Sequence, residues 1–185
     1  MKQINQANRG KSLEDLVTLA NKQYLVRGIA KVRKLPTPYR IQRTGKIMQA
    51  IPATKSGLDY VGVVQGGRAI VFDCKQTANP SLPLANFQPH QIDEATQWEQ
   101  QGGLAFWLVE FTALPDAVYR VPHWFVAEYW RQAQAGGRKS IPRRDIDRCW
   151  EVQSRNGLAL DYLAGMYENT EEAHHEHLQG AVPQN

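Results

Sequence analysis

The sequence predicts an α/β fold, in which a central β-sheet is flanked by helices. Three observations lead to this prediction. A helical pattern of apolar residues starts after Ser12, two short strands meet at a Gly66-Gly67 turn, and the uninterrupted apolar run LAFWLVEF spans 104–111. Such a run is typical of an interior strand that is covered on both faces. The predicted order is helix, strand, hairpin, helix, strand, strand, helix.

The first elements have clear start and stop signals. Ser12 and Asp15 form a capping-box pattern, and Gly28 is placed to end the first helix. A short strand is predicted next, over 29–33. The apolar residues that recur at helical spacing and would face the core are Leu13, Leu16, Val17, Ala20 and Tyr24.

The later elements follow the hairpin in a regular sequence. A helix is predicted over 90–101, with Gly102-Gly103 ending it, and a short partner strand over 118–121. A last short helix is predicted over 158–167. Another helix is predicted between the strand over 118–121 and this last helix. It carries four aromatic residues that helical spacing assigns to the core: Trp124, Phe125, Tyr129 and Trp130.

Size and composition are those of one soluble globular domain of 185 residues, with 42% hydrophobic and 22% charged residues. We predict a single domain over 1–168 and a disordered acidic tail over 169–185. The start of the chain has no apolar leader pattern and no stretch is long enough to span a bilayer, which predicts a cytoplasmic protein. Two cysteines, Cys74 and Cys149, do not make a disulfide framework.

Charge is distributed unevenly along the chain. The net charge is +4, but among the first fifty residues eleven Lys and Arg residues face only two acids, Glu14 and Asp15. This excess indicates a polyanionic partner, most simply nucleic acid. A generally basic surface that serves solubility would show the same excess, so charge alone does not decide between them.

Two basic segments are the candidate DNA-binding regions. The first, 34–56, is polar and broken by prolines, so we expect it to protrude from the domain. The second follows the Gly136-Gly137 turn and should be exposed. The candidate phosphate contacts are Arg40, Arg43, Lys46 and Lys55 in the first segment and Arg138, Lys139, Arg143 and Arg144 in the second.

The stretch GLDYVGVVQGGRAIVFDCKQT, 57–77, carries the residues with the clearest chemistry. Side chains alternate along a strand, so Asp73 and Lys75 project to the same side, and Asp59 can reach that side from just before the hairpin. Two carboxylates and one amine suit a hard divalent cation next to a phosphate. The alternative is an ion pair on a solvated hairpin, since short motifs match by chance.

Seven blocks of sequence between Asn8 and Tyr167 support the catalytic interpretation. In chain order they are NRGKSLEDLVTLANKQY, KLPTP, GLDYVG, FDCKQT, PLANFQPHQI, GGRKSIPRRDI and LDYL. Together they resemble the RecU-type Holliday junction resolvases of bacteria and their phages. The resemblance implies a restriction-endonuclease-like core and a homodimer that nicks four-way DNA junctions symmetrically. That family more often has glutamate at the position of Asp73.

The resemblance also implies site residues and a metal cofactor, Mg²⁺ or Mn²⁺. The implied ligands are Asp59, Asp73, the backbone carbonyl of Cys74 and Gln91. Lys75 would orient the attacking water and offset developing charge, and Glu14 on the first helix would support the same site. Hydrolysis of this kind leaves a 5′-phosphate and a 3′-hydroxyl.

Two other functions stay open from the sequence. One is a different DNA endonuclease on the same fold, of the restriction or flap-processing type, which would not prefer four-way junctions over linear duplex. The other is a non-catalytic module that binds branched DNA, although binding alone gives no reason to collect acids opposite phosphates. The tail residues His174, His175 and His177 fit adventitious metal binding better than a built site. The sequence does not identify protein partners in recombination or replication.

Overall fold

The computed structural model describes residues 12–36, 39–44, 47–52, 57–114, 117–146 and 150–167. The predicted tail, with its histidine tract, and Cys149 lie outside the described residues. In chain order the elements are α1 (Leu13–Val26), β1 (Ala30–Lys34), β2 (Tyr39–Thr44), β3 (Ile47–Pro52), β4 (Tyr60–Val64), β5 (Ala69–Thr77), β6 (Ser81–Pro83), α2 (Pro89–Gln100), β7 (Leu104–Phe111), β8 (Val118–Pro122), α3 (His123–Gln134) and β9 (Ser140–Pro142).

A five-stranded mixed sheet in the order β1-β4-β5-β7-β8 forms the centre of the molecule. Only β5 and β7 are parallel, and α2 is the helix that connects them, as parallel neighbours require. The other neighbours in this sheet are antiparallel. The α/β fold predicted from the sequence, a mixed sheet flanked by helices, is confirmed.

The interior strands send alternate side chains into two separate cores. On the side that we call the α1 face, the rings of Tyr60, Phe72 and Phe106 stack in a row, with centroids 4.7 and 4.8 Å apart, and pack with the apolar stripe of α1. On the opposite side, the α2 face, Val71 and Trp107 pack with residues of α2 and α3. Even-numbered residues of β5 therefore point to the α1 face and odd-numbered residues to the α2 face.

Helix α1 begins and ends where its sequence signals predict. Asp15 N donates to Ser12 Oγ at 3.2 Å, and Ser12 N donates to Asp15 Oδ2 at 3.3 Å, which completes the capping box. Gly28 follows the last turn with φ of +68°, a conformation that favours glycine. This cap fixes the start of the helix and with it the position of Glu14 in the first turn.

The basic segment 34–56 contains regular structure that the broken pattern did not predict. Strands β2 and β3 pair with each other from Tyr39–Pro52 to Thr44–Ile47 and form a two-stranded sheet apart from the central one. The side chains of Ile41 and Met48 are exposed. Residues 37–38, 45–46 and 53–56 lie outside the described residues.

The predicted helix over 158–167 is wrong, because this segment forms a series of turns. Its apolar residues are nevertheless buried in the same core as the apolar stripe of α1. Side-chain bonds take over backbone groups that a helix would pair: Ser154 Oγ donates to Ala159 O, and Leu163 N donates to Tyr24 Oη. Gly157, just before the segment, and Gly165, within it, both have positive φ, a conformation that does not continue a helix.

The prediction that all four aromatics of α3 are core residues is wrong for Trp124, which is 59% exposed. Trp124 lies at the start of α3, where its ring meets Phe125 and Trp150 edge-on at the surface. The other three pack partly buried against the α2-face core. Within the described part of the chain, no helix is both long and apolar enough to cross a membrane.

Candidate metal centre

The site forms on β5, where alternate residues project to the α2 face. Lys75 Nζ lies 3.1 Å from Asp73 Oδ2, and the two side chains are only 13% and 5% exposed. Lys75 Nζ also lies 5.6 Å from the ring centroid of Trp107, at a distance where a cation is attracted to an indole face. The predicted common orientation of Asp73 and Lys75 is confirmed.

Strand register explains why Asp59 meets this pair. In the β4–β5 ladder Tyr60 faces Phe72, so extending the register by one residue sets Asp59 opposite Asp73. Val64 N donates to Arg68 O, and hydrogen-bonded pairs recur every second residue, so Tyr60 and Phe72 also form a hydrogen-bonded pair. Asp59 and Asp73 then occupy a non-hydrogen-bonded pair, the type in which opposed side chains lie closer together. The sequence therefore brings two carboxylates together at the point where β4 begins.

Asp59 has a perturbed carboxyl group as a result. Burial raises the pKa of Asp59, and the negative charge of Asp73 raises it further, while Lys34 and Lys75 act in the opposite direction. Burial and a like charge both disfavour the ionised form. A bound divalent cation would offset both effects, which is the first indication that the residues present suit a metal.

Gln91 joins Asp73 and Lys75 from the first turn of α2. Its Nε2 donates to Asp73 Oδ2 at 2.6 Å and to Gly57 O at 3.3 Å, and its Oε1 accepts from Lys75 Nζ at 3.1 Å. The helix starts at Pro89, and Gln88 N donates to Gln91 Oε1 in a capping-box arrangement. Gln91 thus lies beside the carboxylate, with its amide oxygen turned to Lys75, and its role as a metal ligand stays a prediction.

The backbone of Cys74, and not its thiol, is directed to the site. Its side chain packs against the α1-face core, and burial raises the pKa of the thiol well above its ordinary range. Backbone N–H and C=O groups of successive residues on a strand point alternately to its two neighbours. Those of Phe72 point to β4, so those of Cys74, two residues on, point to the same edge of β5, just beyond the last residue pair of the ladder. Its carbonyl therefore faces the same side as Asp59.

Glu14 lies on the other face of the sheet and has a partner of its own. Lys34 Nζ donates to Glu14 Oε2 at 2.6 Å and sits 5.6 Å from the ring centroid of Tyr60 on the α1 face. The bond to Glu14 raises the pKa of Lys34. The charges of Lys34 and Glu14 also reach Asp59: Lys34 lowers the pKa of its carboxyl group and Glu14 raises it. Sequence spacing gives no sign that Lys34 holds Glu14, because the two residues are 20 positions apart.

The donor set fits a hard cation. Two carboxylates and a backbone carbonyl are oxygen ligands of the kind Mg²⁺ prefers, and Mg²⁺ usually keeps several of its waters. The bonds to Gln91 and Lys75 both reach Oδ2 of Asp73 and do not involve Oδ1. Within the described ranges, no three His, Cys, Asp or Glu side chains group as metal ligands, so water and carbonyl oxygens would complete the shell.

Comparison with known proteins shows the family to which the chain belongs. The model of the family described as Recombination protein U, RecU, matches residues 8–168. The chain belongs to the RecU family. The match covers every site residue discussed above.

Curated members of the RecU family align along most of their length. The protein named Holliday junction resolvase RecU from Limosilactobacillus reuteri (strain DSM 20016) is 43% identical over 166 residues, which cover 85% of this chain and 80% of that protein. The protein of the same name from Geobacillus sp. (strain WCH70) is 39% identical over 154 residues, covering 79% and 76%. The solved structure of Hjc, a Holliday junction resolvase from Archaeoglobus fulgidus, aligns with 58% of this chain and 77% of its own, at 12% identity and a TM-score of 0.35.

The structure describes most, but not all, of the residues that the sequence predicts to contact DNA. Arg43 is exposed on β2, Arg40 belongs to the same strand, and Lys46 and Lys55 lie outside the described residues. The four basic residues after α3 are exposed, as predicted: Arg138, Lys139, Arg143 and Arg144.

Two of these basic residues also have partners within the fold. Arg143 Nη2 donates to the hydroxyl of Tyr119, and its guanidinium lies 5.4 Å from the centroid of that ring. Arg144 Nε lies 3.5 Å from Asp145 Oδ1. The aromatic partner of Arg143 could not be inferred from spacing, because Tyr119 is 24 residues away in the chain.

Proposed function

We propose that this chain is a metal-dependent endonuclease that resolves four-way DNA junctions. The observation that carries the proposal is the opposition of two carboxylates, Asp59 and Asp73, next to the partly buried Lys75 in a chain of the RecU family. The curated relatives are named Holliday junction resolvases. A basic surface supplies the affinity for DNA, and the carboxylates serve the chemistry.

Asp59, Asp73 and the carbonyl of Cys74 would hold Mg²⁺ or Mn²⁺. When bound, such a cation activates water and neutralises phosphate charge. Lys75, held between Asp73 and Gln91, is placed to orient the attacking water and to offset charge on the phosphorus centre. Water adds to phosphorus as the bond to the 3′-oxygen breaks, which leaves a 5′-phosphate and a 3′-hydroxyl.

A homodimer is part of the proposal. A four-way junction presents equivalent strands related by a two-fold axis, and symmetric nicking requires two active sites with the same symmetry. Light scattering at micromolar protein should give the dimer mass with and without junction DNA. A monomer mass under both conditions would contradict paired nicking by a preformed enzyme. Because DNA is the proposed substrate, the cytoplasm is the proposed location.

A mobile four-way junction, end-labelled on each strand, tests the activity directly. We expect symmetric nicks in opposed strands with Mg²⁺ and none after EDTA, while a linear duplex of the same arm sequence stays intact. Equal cutting of the linear duplex would favour a restriction-type endonuclease. Tight junction binding without cleavage in either Mg²⁺ or Mn²⁺ would favour the non-catalytic binding module.

A further inference from the structure

The α2 face of the central sheet is covered on one half and open on the other. Helices α2 and α3 pack on β5, β7 and β8. Among the described residues, strands β1 and β4 have no such helical cover on this face, where Val63 on β4 is 41% exposed and Lys31 and Arg33 on β1 are exposed. We call the surface formed by Lys31, Arg33, Val61 and Val63 the open face.

Strand register joins the open face to the metal centre. Arg33 pairs with Val61 and Lys31 with Val63, so all four side chains point to the same side of the sheet. Asp59 precedes Val61 by two residues and therefore continues the same row. The intervening Lys34 points to the α1 face, where it binds Glu14. The open face is thus a strip that starts at the carboxylates and runs along β1 and β4.

Lys31 and Arg33 have exposed side chains without a partner among the described residues. Neither forms an ion pair or a side-chain hydrogen bond with another described residue. Side chains two residues apart on a strand lie roughly 6.7 Å from each other, so the two cations are spread along the strip. Charged residues on an edge strand can also serve to block pairing with other chains, and this is the competing explanation.

We propose that the backbone of the cut DNA strand, on one side of the scissile phosphate, runs along the open face and that Lys31 and Arg33 bind its phosphates. This inference rests on the proposed function. A strand whose phosphate lies at Asp59 and Asp73 must leave the site in two directions. Helix α2 borders the site on one side, and the strip to which β1 contributes two cations borders it on the other.

A second copy of the chain fits the open face less well than DNA does. A two-fold contact is isologous, so it would bring each patch against itself. A contact centred on this strip would then oppose Lys31 and Arg33 with the same two cations of the partner. Like charges opposed at an interface disfavour association, whereas phosphates complement them.

The test is a scan in which single phosphates of the cut strand are replaced by neutral methylphosphonates. Junction binding is measured in EDTA for the wild type, for the double variant Lys31→Gln/Arg33→Gln, and for a control, Lys22→Gln/Arg68→Gln, which removes two exposed charges elsewhere. We expect neutral phosphates on one side of the cleavage position to weaken wild-type binding roughly three- to tenfold each. Two of these effects should vanish in the double variant and persist in the control.

The outcome separates the inference from the function on which it rests. Identical phosphate effects in the wild type and the double variant would overturn the inference, including the case in which the variant changes its oligomeric state or aggregates. If the double variant does not fold, Lys31→Gln and Arg33→Gln alone should each erase one phosphate effect. A wild type that binds but does not cut junctions would overturn the proposed nuclease, and the scan would still decide the DNA path.

Discussion

At the residue scale, the site depends on a few side chains whose positions follow from strand geometry. The common side of Asp73 and Lys75 could be predicted because alternation is a property of any strand. The double role of Gln91 could not, because it depends on how α2 crosses β5. The resemblance to RecU-type resolvases implied that Gln91 is a ligand of the metal, but it did not give the partner of each amide atom.

We predict that Gln91→Leu slows junction cleavage about 10- to 100-fold without weakening junction binding. The substitution removes the group that orients both Asp73 and Lys75, and losses of this size are typical when a residue that orients metal ligands is removed. Single-turnover rates over a Mg²⁺ titration measure it, and a higher Mg²⁺ requirement should accompany the slower rate. Gln97→Leu, an exposed position on the same helix, is the control. An unchanged rate and Mg²⁺ requirement would show that Gln91 does not position the site.

His123 provides a prediction about stability at low pH. The side chain is buried, its Nε2 lies 2.9 Å from Thr96 Oγ1, and its Nδ1 has no partner among the described residues. Burial lowers the pKa of His123 to about 4. Because the unfolded chain takes up the proton near pH 6.5, the contribution of His123 is complete above that pH and is lost as the pH falls towards 4.

The expected loss is up to about 3 kcal/mol of unfolding free energy between pH 6.5 and pH 4. Urea unfolding of the wild type and of His123→Gln at several pH values measures it as the difference between the two curves, since other groups contribute equally to both. The curves should converge as the pH falls. Parallel curves over this range would show that His123 takes up its proton equally in the folded and unfolded states.

At the element scale, the sequence predicted those elements whose pattern depends on local signals. The cap of α1, the hairpin turn at Gly66-Gly67 and the bounds of β7 match the expected positions. The segment 158–167 was mistaken for a helix because its apolar spacing suits one, while its backbone is held by Tyr24, a residue more than a hundred positions away. Strands β2 and β3 were missed because prolines and charges hide their alternation.

The backbones of β1 and β4 approach each other closely at Gly62. A Cβ at this position would lie 2.6 Å from Lys31 O and 2.9 Å from the Cα of Val32, both backbone atoms that cannot move without shifting β1. We therefore expect Gly62→Ala to destabilise the protein by about 1–3 kcal/mol or more in urea unfolding. Val63→Ala, at the exposed neighbouring position, should change stability by less than about 1 kcal/mol. Equal effects of the two substitutions would contradict the close approach of the strands.

The hairpin of β2 and β3 gives a prediction about junction recognition. Replacing Arg40, Arg43 and Lys46 with alanine should weaken binding to four-way junctions more than binding to linear duplex, if this segment enters the junction centre. The salt dependence of junction binding should fall by about 0.9 in log–log slope for each phosphate contact removed. Thermal unfolding should be unchanged, because the exposed side chains of this hairpin bury little apolar surface. Equal loss on both DNA forms would refute a junction-sensing role.

At the scale of the whole molecule, one sheet carries both the hydrophobic cores and the candidate metal centre, on different parts of its surface. Its α1 face and its covered half hold the two cores, and the carboxylates lie where β4 begins, between the covered half and the open face. Length predicted one domain, the excess of basic residues indicated a polyanionic partner without deciding it, and the order of sequence blocks indicated the family. What they did not give is the path of the DNA, because that depends on which strands the helices leave uncovered.

The central claim is that Asp59 and Asp73 serve a metal that cuts DNA while other residues bind it. The most direct measurement compares wild type, Asp59→Asn and Asp73→Asn in two assays on the same mobile junction, namely single-turnover cleavage at saturating Mg²⁺ and binding in EDTA. We predict that both variants lose cleavage and keep junction affinity within about threefold of the wild type, because the lost carboxylates face the cation and not the phosphates that basic residues bind. Wild-type cleavage by either variant would remove that carboxylate from the metal centre and contradict the account.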